Sequence, residues 1–295
     1  MAKIKLFWDP TGVELDTLGT NTFERITDGD TPYVSMAIRM LSIDTPEVHY
    51  PGNESPAKHD AKLAQLADWI HGGKAPIDPG LAAWLEPKLA TGSAGTLQKQ
   101  QGDAAKAEFQ RLLDEKLTRP TGSKRSVFLR TADQPFDQYG RLLAYMSPYY
   151  SGEELAALSP AERATFNLLM VASGWAATFP IYPSLPKYAD LVLLQQAAED
   201  AFTNKKGAWA NPAALTGYEF RMCYKLWEVT SKLVKGQKLS SRERYGWVER
   251  YCVDMTSRAV YSPQDYYKVP ACNRVFIWPD DVAEAVGRLN LEPAG

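Results

Sequence analysis

Apolar residues recur at two different spacings along this chain, and the switches between them mark its elements. Residues 3–8 alternate polar with apolar positions before Asp9-Pro10-Thr11-Gly12, which predicts a strand and a turn. Residues 23–26 form a second short strand run, ended by Asp28-Gly29-Asp30. Residues 34–43 are apolar and rich in β-branched and small side chains, interrupted by Arg39 and stopped by Pro46. The proline ring disfavours the α region before it, so Thr45 is expected to be extended or in a turn. Two more strands are expected at 125–130 and 141–146, the second entered through the turn Asp137-Gln138-Tyr139-Gly140. Helical spacing appears at 103–117, where Ala104, Ala107 and Leu112 share a face. Ser159-Pro160-Ala161-Glu162 reads as a capping box with proline in the first turn, opening a helix that Gly174 closes. A second amphipathic helix is expected over 188–206, with Leu191, Leu194, Ala198 and Ala201 on one face and Gly207 as its cap.

Between these regions the pattern changes. Over 48–101, Pro51, Pro56, Pro76, Pro79 and Pro87 leave only short helical patches such as 57–70, and Thr91-Gly92-Ser93-Ala94-Gly95 reads as a flexible link. This stretch is read as an insertion, which following Glu47 directly makes a candidate lid over a cleft. After Asn211-Pro212 the composition shifts again: residues 218–274 hold eleven Lys or Arg against six Asp or Glu, interleaved with tyrosine and tryptophan. The boundary is placed at 213, giving a domain over 1–212 and a mostly helical accessory module over 213–295. Its occupants divide between a packed helical core, an accessory nucleic-acid surface and a docking face for a partner protein.

Composition narrows the function. The chain has 295 residues, 45% hydrophobic and 23% charged, an ordinary globular balance that excludes wholesale disorder. Its net charge of −2 argues against coating nucleic acid non-specifically, so any polyanion contact must come from a local constellation. Three cysteines, Cys223, Cys252 and Cys272, have no Cys-x-x-Cys spacing and read as buried thiols. No apolar run is long enough for a membrane span, and the amino terminus lacks the apolar stretch of a signal peptide, so a cytoplasmic protein is expected. His49, His59 and His71 all fall in the insertion at no zinc spacing and are expected on its surface.

Three segments concentrate the remaining chemistry: Asp28-Gly29-Asp30-Thr31, Arg39 through Asp44-Thr45-Pro46-Glu47, and Asp137-Gln138-Tyr139-Gly140-Arg141. Separately, each is most simply a turn, or a charged residue on a solvated strand. Together they make a different set. Asp30 and Asp44 offer hard carboxylate oxygens and Thr45 a backbone carbonyl, the ligand types calcium takes. Glu47 follows closely enough to act as general base on a bound water. Arg39 and Arg141 are permanently charged forks suited to a phosphoryl group. Two acids, a base and two arginines describe a metal-assisted phosphodiester hydrolase.

The order of these motifs resembles the staphylococcal nuclease family over about residues 22–210. The resemblance implies an α+β fold, a five-stranded OB-type β-barrel with three helices. It implies that Asp30, Asp44 and the Thr45 carbonyl bind Ca²⁺, with Asp28 beside them, and that Glu47 is the general base. Arg39 and Arg141 would clamp the scissile phosphate, and Tyr139 would stand near a terminal phosphate. The implied reaction is attack by an activated water on DNA or RNA, leaving 3′-phosphate ends. Where family members carry two base-stacking tyrosines this chain has Pro180 and Tyr182, and Gln138 replaces a common lysine. Two alternatives remain: a non-catalytic binding module on the same barrel, and a phosphodiesterase for small nucleotides.

Overall fold

The computed structural model describes residues 22–29, 31–159 and 162–294. The strand expected at 3–8, and Asp30, lie outside them. The chain divides into two compact units, one built from residues up to Arg39 with Thr131–Ala144, the other from Met40–Arg130 with Tyr145–Gly295.

In the first unit, β1 (Thr22–Ile26) pairs antiparallel with β2 (Pro32–Ser35), in the register Thr22 with Ser35 and Phe23 with Val34. Arg25 lies over the Tyr33 ring at 3.6 Å. The following elements are β3 (Ile38–Met40), β4 (Ile43–Asp44), α1 (Asp60–His71), α2 (Pro79–Leu89), α3 (Ala94–Leu117), β5 (Val127–Phe136), β6 (Leu142–Pro148), α4 (Gly152–Ala157), α5 (Phe166–Ala172), β7 (Ala177–Thr178) and α6 (Tyr188–Thr203). The carboxy-terminal part adds α7 (Gly217–Val234), α8 (Ser241–Tyr245), β8 (Tyr251–Asp254), β9 (Ala259–Tyr261), β10 (Arg274–Ile277), α9 (Val282–Leu289) and β11 (Glu292–Pro293). Strands associate in the orders β1-β2, β3-β6-β5, β4-β7 and β10-β8-β9-β11, a mixed α+β content with no closed barrel among the described residues. No described helix is long and apolar enough to cross a membrane.

The insertion is better ordered than its prolines suggest. Pro79 sits at the start of α2, where a missing N–H costs nothing, so proline there starts a helix rather than breaking one. The link read at 91–95 is where α3 begins, nine residues before the expected start. Gly95 lets α3 approach the Pro56 carbonyl so closely that a Cβ would stand 2.2 Å from its oxygen. Leu63, Leu66, Leu81, Leu85 and Leu89 are fully buried and share one cluster with Phe220, Leu226, Tyr266 and Phe276. The expected boundary at 213 therefore falls inside a common core: insertion and carboxy-terminal segment bury each other. A smaller cluster gathers Tyr182, Val253, Val275 and Ile277 with Ala285 of α9.

Two further expectations shift. The Ser159–Glu162 capping contacts form, with the Ser159 N–H donating to Glu162 at 2.8 Å, but α5 starts only at Phe166 under a cap from Thr165. Gly174 closes it at φ 77°. Of the histidines, His49 and His71 are exposed, whereas His59 is 1% exposed with its ring 4.8 Å from that of Tyr224. Desolvation lowers its pKa below the ordinary histidine value. The three cysteines are buried and free.

Candidate active site

The third motif makes a compact turn within the first unit. Gly140 adopts φ 73°, a left-handed conformation glycine enters without strain, so the turn after Asp137 closes tightly. The Asp137 carboxylate then accepts from the Tyr139 N–H at 2.9 Å and the Arg141 N–H at 3.0 Å, and pairs with the Arg141 side chain at 2.7 Å. Burial alone would raise the Asp137 pKa, but these donors outweigh it and hold it below the ordinary value. Arg141 keeps 41% of its side-chain surface and Tyr139, 71% exposed, lies against it. Asp28 is exposed at its own turn, and Arg39 is half-buried on β3.

The carboxylate part of the second motif, Asp44 to Glu47, is built into the other unit, with Asp44 enclosed. Ile43 pairs with Thr178 and Asp44 with Ala177 across β4 and β7, fixing the backbone just before Thr45. Asn167 holds the approach to it, donating to the Leu41 carbonyl at 2.8 Å and accepting from the Met146 N–H at 3.0 Å. With its amide oriented to satisfy both neighbours, Gln98 of α3 accepts from the Glu47 N–H at 2.8 Å and donates to the Leu215 carbonyl at 3.0 Å.

Onto this turn comes the start of α7. Thr216 caps the helix and forms a capping box with Glu219, so the free N–H of Tyr218 is aimed at Asp44 Oδ2, to which it donates at 2.6 Å. One turn further, Arg221 donates to Asp44 Oδ1 at 3.0 Å and also to Glu47 Oε1. A single guanidinium bridges the two expected functional carboxylates. Asp44 is 2% exposed. Burial works against charge on Arg221, yet Asp44 and Glu47 more than offset it and raise its pKa further. The approach is close: a Cβ on Gly217 would stand 2.4 Å from the Thr45 carbonyl oxygen and 2.7 Å from Asp44 Oδ2.

Comparison with known proteins places this arrangement in a family. The model for staphylococcal nuclease homologues matches residues 37–211. The chain belongs to that family. A relative, Endonuclease YhcR of Bacillus subtilis (strain 168), is 25% identical over 175 residues. That match covers 59% of this chain and 13% of the relative, so the chain spans a small part of the relative's length. The family match includes Arg39, Asp44, Thr45, Glu47, Tyr139, Arg141 and Tyr182, and leaves Asp28, Asp30 and Arg221 outside.

Among the described residues, which leave out Asp30, the donors do not fit a calcium ion as arranged. Calcium takes about six to eight oxygens. Both Asp44 oxygens are occupied by donors, the Thr45 carbonyl stands close to Gly217, and one Glu47 oxygen is paired with Arg221. Among the described residues, no group of three or more His, Cys, Asp or Glu side chains stands together as a metal-binding cluster. Tyr182 is also placed differently from a stacking residue: it is 4% exposed and its hydroxyl donates to Glu284 at 3.0 Å.

Reading the sequence motif by motif missed Arg221, because its partners are 177 and 174 residues away. The only trace was the excess of basic residues after 218, and part of that excess is spent inside. Arg274 is 5% exposed and donates to the Val269 carbonyl at 2.8 Å, while Arg250 lies 4.0 Å over the Trp278 ring.

Proposed function

We propose that this chain is a nuclease, hydrolysing phosphodiester bonds of DNA or RNA. The observation that carries the reading is that the family match takes in Arg39, Asp44, Glu47 and Arg141 together, one acid, the base and both arginines of the set such hydrolysis needs. That a relative is named an endonuclease supports the same class. In this reading, Arg39 and Arg141 bind the scissile phosphate and oppose the charge that grows on its oxygens. Glu47 accepts a proton from the attacking water as the new oxygen–phosphorus bond forms. The bond from phosphorus to the 5′ oxygen breaks, solvent protonates that oxygen, and the phosphate stays on the 3′ side. In the same proposal, a five-stranded OB-type barrel carries the nucleic acid.

The test is cleavage of labelled single-stranded DNA, double-stranded DNA and RNA in Ca²⁺, Mg²⁺ or EDTA, with Glu47→Gln alongside. Cleavage by the wild type that the variant loses by ~10²-fold or more supports the roles given, at the scale expected for one preorganised group. Binding without cleavage under every condition favours the second reading, a binding module. The pairing of Glu47 with Arg221 speaks for that alternative, because it ties the base to a fixed cation.

A further inference from the structure

We infer that Arg221 is the resident cation of the Asp44–Glu47 centre: the guanidinium of α7, rather than a divalent ion, neutralises these carboxylates and fixes Glu47 in place. Three observations converge on it. Arg221 reaches both carboxylates at once from one helical position. The remaining Asp44 oxygen is taken by the Tyr218 N–H. The Thr45 carbonyl, which a metal would need, stands so close to Gly217 that a Cβ there would lie 2.4 Å from its oxygen.

Charge balance points the same way. Against the two carboxylates, Arg221 supplies one positive charge and the start of α7 part of another, and Arg250 is near enough to act on both Asp44 and Arg221. A divalent ion added beside the guanidinium would set two cations against each other at the buried Asp44 carboxylate. The ion and Arg221 therefore exclude one another. A planar fork also suits two acceptors in fixed directions. Arg221 acts on the reaction through Glu47 and is a positioning residue. That last clause rests on the nuclease reading; the identity of the cation does not.

Calorimetric titration of the full chain with CaCl₂, without nucleic acid, tests the assignment. The wild type is expected to show no saturable binding up to about 1 mM, the weak end of protein calcium sites. Arg221→Gln opens the seat and is expected to bind calcium at least tenfold more tightly than the wild type, a gain that Asp44→Asn in the same chain removes. Arg221→Lys keeps a cation in place and is expected to stay like the wild type. Saturable wild-type binding that Asp44→Asn abolishes would overturn the proposal. So would a folded Arg221→Gln that gains nothing, or an Arg221→Lys that gains as much as the glutamine variant. If Arg221→Gln does not fold, the wild-type melting temperature decides, since a ligand that binds the native state raises it. Equal melting in CaCl₂ and EDTA supports the assignment, and a calcium-dependent rise that Asp44→Asn removes refutes it. No nucleic acid enters the experiment, so its outcome is separate from whether the chain cleaves.

Discussion

Two arginine–carboxylate pairs stand at the second and third motifs of this molecule, and they differ in nearly every physical respect. Arg141 and Asp137 are four residues apart on one turn, and the arginine is 41% exposed. Arg221 and Asp44 are 177 residues apart, on a strand and a helix, and the aspartate is 2% exposed. The first pair is made by local geometry and remains in contact with water. The second is made by folding, with donors filling the carboxylate and a helix start pressed on it. An exposed i,i+4 pair contributes little to stability, whereas breaking a buried one strands a charge. The same two residue types thus make a reactive edge in one unit and an internal fastening in the other.

The largest effect that would sharpen this contrast is on folding. Arg221→Met is expected to cost ~3–5 kcal/mol, because Asp44 would be left buried without its counter-charge. Arg141→Met, removing the exposed partner, is expected to cost about 0.5 kcal/mol or less. Urea titration of both variants reads the difference, and equal losses would erase the distinction between fastening and edge.

Activity should invert that order. Arg141→Ala is expected to lower kcat by ~10²–10³ with a nearly unchanged unfolding midpoint, as removal of one preorganised donor does. A variant that turns over like the wild type would take Arg141 out of the phosphate clamp.

Close approach offers a smaller test. Gly217→Ala would drive a methyl group into the Thr45 carbonyl and the Asp44 carboxylate, both of which are held in place. The expected cost is ~1–3 kcal/mol, the range for overpacking a fixed contact. Denaturation that matches the wild type would show that α7 stands farther from the turn than described.

The smallest effect concerns acid. Asp137 has a pKa held below the ordinary aspartate value of about 3.9 in the folded chain. Its donors therefore add stability that is present above the ordinary value and lost as pH falls through the folded one. A carboxyl NMR titration should place the Asp137 midpoint below that of a free aspartate, and Arg141→Ala should bring it back toward ordinary. A midpoint already ordinary in the wild type would remove the turn's claim to a preset charge.

The sequence was most informative where physics is local. The turn at Asp137–Arg141 was legible because Gly140 supplies the left-handed residue and Asp137 the acceptor within five positions. The face of α6 was legible because Leu194, Ala198 and Ala201 recur at helical spacing, and all three are buried. The insertion was misread because proline was counted only as a breaker, although Pro79 stands where a helix starts. Its leucines could not announce their partners, since those lie beyond residue 213.

What the sequence by itself determined was the family, the acids and arginines of its motifs, and the turn that presents Arg141. Each rests on neighbours in the chain, where spacing and φ preference suffice. What only the tertiary structure decided is the state of Asp44 and Glu47. Whether a carboxylate faces water, a metal or a guanidinium depends on what the rest of the chain brings against it. Here a helix that begins at Gly217 brings Arg221.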